Sequence, residues 1–170
     1  MVTALKSAAA DAAELYDALS ALVRVYQFRD RDRICCHDVS VTQCYALEAL
    51  LKVGPCTLNG LAAELYLDKS TASRVVAVLE RKGYVSRTPS PDDARATRLD
   101  VTPAGRRLHE RIRADMVAEQ AAMIEDIGPE VRRGAVVLLQ RLTASAAARS
   151  GLTCGPVCAP GNCGSSETPA

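Results

Sequence analysis

Apolar residues between Leu58 and Lys82 recur every three or four positions in two short runs, a spacing that predicts two amphipathic helices. The first run is Leu58, Leu61, Ala62 and Leu65, and the second is Ala72, Val75, Val76 and Leu79. Asp68 lies between the runs and is a typical N-cap, because its carboxylate can accept hydrogen bonds from the backbone N–H groups that open a helix. The pattern therefore predicts two helices joined by a tight turn.

The polar side of the second helix combines short hydrogen-bonding side chains with long cations. Its members are Lys69, Ser70, Ser73 and Arg74. This mixture suits a helix that enters the major groove of DNA, where base edges present donors and acceptors. A plain solvent-facing helix has the same amphipathic pattern, so the interpretation depends on the elements that come next in the chain.

A β-hairpin is predicted directly after this helix-turn-helix. Gly83 ends the helix, Tyr84–Thr88 forms one strand, a turn-rich segment rich in proline and aspartate follows, and Thr97–Val101 forms the second strand. This order of elements is that of a winged helix. The hairpin tip carries Asp93 and Arg95, with Arg98 just beyond, and an arginine on a thin loop can reach a minor groove.

Longer helices are predicted on both sides of this lobe. We expect the first over Ser7–Phe28, a solvated charged helix end over 29–33, a loop over 34–38, and a second helix from Ser40 to about Val53. Thr102 and Pro103 open a helix that runs to about Ile127, and Gly128-Pro129 separates it from a last helix that ends near Arg149. The broad apolar stripes of the first and last helices indicate a dimerisation module.

The segment from about residue 40 to residue 110 resembles the MarR family of winged-helix transcriptional regulators. The resemblance lies in the helix-turn-helix, the passage LERKGYV into the wing, the D-x-R at Asp93 and Arg95, and the re-entry LDVTPAG. It implies a homodimer that binds double-stranded operator DNA, usually as a repressor. It also implies that Ser70, Thr71, Ser73 and Arg74 read the major groove, that Arg95 enters the minor groove, and that the terminal helices form the dimer.

The expected fold is mainly α with a small β-hairpin wing, a winged helix-turn-helix with N- and C-terminal dimerisation helices. We place the dimerisation helix and Cys-Cys loop at 1–39, the DNA-binding lobe at 40–102, the C-terminal dimerisation helices at 103–149 and a cysteine-rich tail at 150–170. The chain has a net charge of +1, but eleven Lys/Arg and six Asp/Glu in 68–113 give that quarter +5 and leave −4 elsewhere.

The composition also excludes several classes of protein. No apolar run is long enough to span a membrane, and no signal peptide precedes the first helix, so we expect a cytoplasmic protein without a membrane partner. The chain has no Gly-rich phosphate loop, no Ser/His/Asp set and only two histidines, so we predict that it is not an enzyme.

Six of the seven cysteines fall into two groups that suggest a thiol site. Cys35, Cys36 and Cys44 surround the start of the second helix, and Cys154, Cys158 and Cys163 lie in a tail rich in Gly, Pro and Ser. Clustered thiolates bind soft ions, and His37 is a possible further ligand. Cys44 alone also fits a small core residue, and the lone Cys56 is interpreted as structural.

The sequence leaves the effector open. Three tail cysteines beside a vicinal pair favour a three-coordinate thiophilic ion. As(III) is the first candidate, together with the similarly thiophilic Hg(II) and Cu(I). Zinc is second, since it prefers closed four-coordinate sites, and an iron–sulfur cluster is third. The alternative is a redox sensor in which an oxidant converts a low-pKa thiolate to a sulfenate and then a disulfide.

Overall fold

The computed structural model describes residues 2–35, 37–89 and 97–149, apart from the side chains of residues 2–8 and 35. Two compact units, Met1–Val41 and Thr42–Ala170, divide the chain. The fold is mainly helical with a small antiparallel sheet, as the sequence predicts. No helix in the described ranges has the length and apolar character needed to cross a membrane.

The first unit is dominated by helix α1, Val2–Cys35, which is longer than the sequence pattern predicts. The expected helix end over 29–33 and loop from residue 34 are wrong, because the helix continues to Cys35. Opposite charges in this stretch neutralise each other within the helix: Arg29 pairs with Asp30 at 2.7 Å, and its guanidinium lies 3.8 Å from the centre of the Tyr26 ring. Asp38, three positions after the last residue of the helix, has a φ of 63°, a left-handed conformation that does not occur within an α-helix.

From Val41 onward the described chain contains five helices and three strands. They are α2 Val41–Val53, β1 Cys56–Thr57, α3 Leu58–Glu64, α4 Lys69–Arg81, β2 Val85–Pro89, β3 Thr97–Val101, α5 Pro103–Met123 and α6 Pro129–Arg149. The predicted bounds of β3 and α6 are confirmed. Helix α5 ends four residues earlier than expected, and strand β2 begins one residue later than expected.

The sheet has the order β1-β3-β2 with both pairs antiparallel. In its register Val85 lies opposite Val101, and Leu99 lies between Arg87 on one side and Cys56 on the other. Strand β1 is not predicted from the sequence, because a strand of two residues is too short to show an alternating pattern. This short strand places the α2–α3 connection against the root of the wing.

Leucines from four helices and one strand form the core of the second unit. The largest fully buried side chains are Leu47, Leu50, Leu61, Val76, Leu79, Leu99 and Leu108. Burying a side chain of this size contributes about 1.5–3 kcal/mol, so these residues stabilise the packing of the helices and the sheet of this unit. No polar side chain is buried in the described part of the chain.

The start of α5 is joined to the end of α4 at the root of the wing. Thr102 caps α5, as predicted: its Oγ1 accepts from the Gly105 N–H at 3.1 Å and donates to the Gly83 carbonyl at 2.6 Å. Its backbone N–H donates to the Tyr84 carbonyl at 3.0 Å. A Cβ on Gly105 would lie 2.2 Å from that same carbonyl oxygen, so only glycine fits at this position.

Candidate nucleic acid interface

Helices α3 and α4 form the predicted helix-turn-helix, and each begins at a side-chain cap. Thr57 Oγ1 accepts from the Gly60 N–H at 3.2 Å, and Asp68 Oδ1 accepts from the Thr71 N–H at 2.8 Å. The predicted role of Asp68 as an N-cap is therefore confirmed. A cap satisfies backbone donors that the first turn of a helix leaves without partners.

The turn between the helices begins with a left-handed residue at Tyr66, whose φ is 54°. Its N–H bonds to the Ala63 carbonyl at 3.2 Å, and the Leu67 N–H bonds to the Ala62 carbonyl at 2.9 Å. This pair of bonds is the Schellman motif, in which the left-handed position is usually glycine. The tyrosine ring is 53% exposed.

Helix α4 buries one side and presents the other to solvent. Ala72, Val76 and Leu79 are buried. Lys69, Ser70 and Arg74 are exposed, and Thr71 and Ser73 are half-buried. The five residues that the sequence assigned to DNA reading therefore avoid the core. The helix begins next to an exposed turn and has the free polar face that groove entry requires.

A hydrogen-bond network links the first residues of α4. Asp68 Oδ1 accepts from the Ser70 hydroxyl at 2.6 Å, and Oδ2 accepts from the Thr71 hydroxyl at 2.7 Å. Arg74 Nη2 donates to Thr71 Oγ1 at 3.1 Å. The hydroxyls of Ser70 and Thr71, joined by the Thr71 N–H, hold the pKa of Asp68 well below its usual range.

The other end of α4 contacts the wing through an ion pair. Arg87 Nε on β2 donates to Glu80 Oε2 at 2.9 Å, and both side chains are partly exposed. Nothing in the sequence marks Arg87 for this contact. A charged pair that joins a helix to the following strand has no fixed spacing, so no pattern could have found it. Asp93 and Arg95 lie outside the described residues, and the role of Arg95 stays a prediction.

Arg98 makes a contact that the sequence did not predict. Its Nη2 donates to the Pro55 carbonyl at 2.8 Å, which links β3 to the turn before β1. The side chain is half-buried, and its positive charge acts on the neighbouring Cys56 thiol. Arg98 therefore has a structural partner in the protein, while its predicted contact with DNA stays a prediction.

Two cysteines have described side chains. Cys44 is 5% exposed, in agreement with the interpretation of a small core residue. Cys56 is half-buried, and burial raises its pKa more strongly than Arg98 lowers it, so its thiol stays protonated at neutral pH. Neither environment is that of an exposed thiolate.

The remaining proposed ligands are largely beyond the described part of the chain. Cys36, Cys154, Cys158 and Cys163 lie outside it, as does the Cys35 side chain. His37 is half-buried and follows the end of α1. Within the ranges that are described, no group of three or more His, Cys, Asp and Glu side chains is placed to hold a metal ion. The metal site stays a prediction.

Comparison with known proteins agrees with the helix-turn-helix and the wing. A family model described as the MarR family matches residues 37–96. An HTH-type transcriptional regulator of Mycobacterium bovis is 30% identical over 141 residues, which cover 81% of this chain and 96% of the relative. A regulator of Mycobacterium leprae is 29% identical over the same length and the same shares of the two chains.

Solved structures give the same result. The crystal structure of a MarR family transcription regulator superimposes with a TM-score of 0.73 at 26% identity, covering 84% of this chain and 97% of the other. A MepR mutant of S. aureus, solved bound to an oligodeoxyribonucleotide, shares the fold with a TM-score of 0.56 at 19% identity, covering 77% and 97% of the two chains. This chain belongs to the MarR family of DNA-binding transcriptional regulators, which are not enzymes.

Proposed function

We propose that the protein is a homodimeric repressor that inserts α4 into the major groove of a pseudo-palindromic operator. The observation that carries the proposal is the two-sided character of α4, with Ala72, Val76 and Leu79 buried and Lys69, Ser70 and Arg74 exposed. A structural neighbour solved with an oligodeoxyribonucleotide supports the proposed ligand. Two such helices about one helical turn apart, roughly 34 Å, would match two half-sites.

Substitution of Arg74 tests the contact with DNA. We expect Arg74→Ala to weaken operator binding by about 5-fold to 100-fold if the guanidinium reads a base, and to lower the salt slope by about one if it contacts a phosphate. The matched control is Lys52→Ala, which removes an exposed cation from α2, a helix to which the proposal gives no contact with DNA or with the partner. Fluorescence anisotropy with a labelled operator, at several salt concentrations, measures both quantities. Equal effects of the two variants would contradict the proposal.

Exposed apolar residues support the homodimer. On α6, Val131, Val136, Val137, Leu138 and Leu139 are each 45–65% exposed. On α1, considered separately, Tyr16, Val25 and Phe28 are 59–71% exposed. Apolar surface of this extent marks a contact with another chain. The sequence also predicted dimer contacts on these two helices.

Sedimentation velocity tests the dimer directly. We expect the wild-type protein to sediment as a dimer and Leu138→Glu to shift it toward monomer, because a carboxylate would be buried against the partner. Asn59→Glu adds the same charge at an exposed position of α3, outside the two helices of the proposed dimer, and serves as the control. A monomeric wild type would overturn this part of the proposal, and in vitro transcription from an operator-bearing promoter tests the sign of regulation.

We further propose that a thiophilic ion, with As(III) as the lead, controls operator affinity. The support is the density of cysteine in the sequence: a vicinal pair, Cys35-Cys36, and three residues of a short tail, Cys154, Cys158 and Cys163. Cys44 is buried and Cys56 is protonated, so the ligands are sought among those five residues and His37. A coupling of about 1–3 kcal/mol would change operator affinity by about 5-fold to 150-fold.

Titration under reducing conditions tests the effector. Operator binding is measured with arsenite, Hg(II), Cu(I) and Zn(II), using wild type, a Cys154/Cys158/Cys163→Ser variant and Cys56→Ser as the control. We expect one ion to change affinity in wild type and Cys56→Ser but not in the triple variant. An ion-independent protein that instead responds to peroxide, with a disulfide found by mass spectrometry, would replace metal sensing with redox sensing.

A further inference from the structure

The first turn of α4 has hydroxyl groups whose hydrogen-bonding roles are set by one carboxylate. Asp68 receives the Ser70 hydroxyl on Oδ1 at 2.6 Å and the Thr71 hydroxyl on Oδ2 at 2.7 Å. An ionised carboxylate has no proton to give and can only accept. Each hydroxyl must therefore donate its single proton to Asp68.

Because both hydroxyl protons are donated to Asp68, neither hydroxyl can donate a hydrogen bond to another molecule. A hydroxyl has one donor and two acceptor lone pairs, so Ser70 retains acceptor capacity alone. Thr71 Oγ1 already accepts from Arg74 Nη2 at 3.1 Å, which occupies one of its lone pairs. Ser70 is exposed and Thr71 is half-buried, so Ser70 is the member of the pair with free access from outside.

Acceptors and donors are not interchangeable in the major groove. The exposed donors there are the N6 amino group of adenine and the N4 amino group of cytosine, whereas guanine and thymine present acceptors. Phosphate oxygens are also acceptors, so a hydroxyl that has given its proton away has nothing to donate to the backbone. An acceptor-only Ser70 therefore matches just two of the four bases.

We propose that Asp68 fixes Ser70, in the first turn of α4, as a hydrogen-bond acceptor, so that Ser70 accepts from the exocyclic amino group of adenine or cytosine in the operator. Asp68 is a positioning residue, because it acts through Ser70. Arg74 supplies the complementary role, since its remaining N–H groups donate to guanine or phosphate. This inference rests on the proposed entry of α4 into the major groove and adds the chemistry that it reads.

The test is a double-mutant cycle that combines removal of the Ser70 hydroxyl with removal of single amino groups from the bases. The operator half-site is first selected from random duplexes with the full-length protein. Each adenine is then replaced by purine, which lacks the N6 amino group, and each cytosine by 2-pyrimidinone, which lacks the N4 amino group. Affinities of wild type and Ser70→Ala are compared on every duplex.

We expect one position at which loss of the amino group weakens wild-type binding by about 3-fold to 10-fold, the size of one hydrogen bond, and weakens Ser70→Ala no further. Asp68→Ser keeps a good N-cap but removes the carboxylate, so the Ser70 proton is freed and the selectivity for the amino group should disappear. Circular dichroism melting shows that each variant is folded. Ser73 is also a predicted DNA-reading residue, but its hydroxyl lies outside this network in the described chain, so Ser73→Ala should keep the selectivity for that amino group even where overall affinity falls.

Three results would overturn the proposal. In the first, Ser70 couples to an acceptor atom: 7-deazaguanine or 7-deazaadenine, which lack N7, weakens binding by wild type but not by Ser70→Ala. Wild type could bind its operator with no coupling between Ser70 and any amino group, which would leave the proposed function intact. Asp68→Ser could retain the selectivity, which would remove Asp68 from the mechanism. A wild-type protein that selects no duplex would instead refute the proposed function itself.

Discussion

The two helices of the helix-turn-helix end in the same hydrogen-bond motif built on different residues. Helix α3 turns at Tyr66 with a φ of 54°, and α4 turns at Gly83 with a φ of 73°. The Gly83 and Tyr84 N–H groups bond to the Glu80 and Leu79 carbonyls at 2.9 Å, which repeats the arrangement at Tyr66. Left-handed backbone costs a non-glycine residue about 1–2 kcal/mol, so the turn before α4 is strained and the turn after it is relaxed.

The difference also extends to the surroundings of each turn. The Tyr84 carbonyl accepts the Thr102 N–H, and Gly105 packs directly beneath it. The Tyr66 ring is instead 53% exposed. The turn after α4 is therefore held by tertiary contacts at the root of the wing, whereas the turn before α4 is closed by its own backbone hydrogen bonds. Strain of this kind tends to lie at functional sites.

The largest expected effect comes from breaking the relaxed turn at its support. Gly105→Ala would place a Cβ 2.2 Å from the Tyr84 carbonyl oxygen and 2.9 Å from a Val101 methyl group. Backbone cannot give way as a flexible side chain can, so we expect a loss of about 3 kcal/mol in the free energy of unfolding. Urea denaturation measures it. Gly134→Ala in α6, which has nothing within 4 Å, is the control and should be neutral or slightly stabilising.

A smaller effect is expected from separate substitutions at the two left-handed positions, Gly83 and Tyr66. Gly83→Ala should cost about 1 kcal/mol, and the cost is purely conformational because nothing lies within 4 Å of the added Cβ. Tyr66→Gly should instead stabilise the protein by about 0.5–1 kcal/mol, since it relieves the strain. Thermal and urea unfolding of both variants measure whether each substitution lowers or raises the free energy of unfolding. A destabilised Tyr66→Gly would show that the ring contributes more than the backbone strain costs.

Elements with a strong local signal could be predicted from the sequence. Asp68 is predicted as an N-cap from its place between two apolar runs, and Thr102 from the proline that follows it; both caps are confirmed. The polar face of α4 follows from the position of Ala72, Val76 and Leu79 alone, and its exposure agrees with that prediction. Local chemistry of this kind does not depend on the rest of the fold.

Features that depend on tertiary context could not be predicted. The end of α3 lacks glycine, so no residue marked Tyr66 as a left-handed position. The charges at Arg29 and Asp30 indicated a helix end, because the sequence does not show that they pair with each other. The contact of Arg98 with the Pro55 carbonyl joins residues 43 positions apart. Such contacts follow from the packed structure and have no sequence spacing of their own.

Acid should weaken the N-cap of α4. The hydrogen bonds of Ser70 and Thr71 lower the pKa of Asp68 from its ordinary 3.8, so the folded state prefers the ionised carboxylate. The stabilisation is present above pH 3.8 and is lost as the pH falls toward the lower pKa of the folded state. We expect the stability difference between wild type and Asp68→Asn to shrink from pH 5 to pH 3, measured by urea unfolding. A difference that stays constant would show that ionisation of Asp68 does not stabilise the folded protein.

The smallest expected effect concerns the ion pair between Glu80 on α4 and Arg87 on the first strand of the wing. Glu80 and Arg87 are 2.9 Å apart but partly exposed, so their coupling should be only about 0.2–1 kcal/mol in the free energy of unfolding. A double-mutant cycle with Glu80→Gln, Arg87→Gln and the double variant isolates that term. The coupling should decline in high salt, because screening weakens exposed charges. Coupling above 2 kcal/mol that persists in 1 M salt would contradict this prediction and would show that the pair contributes strongly to holding the wing against α4.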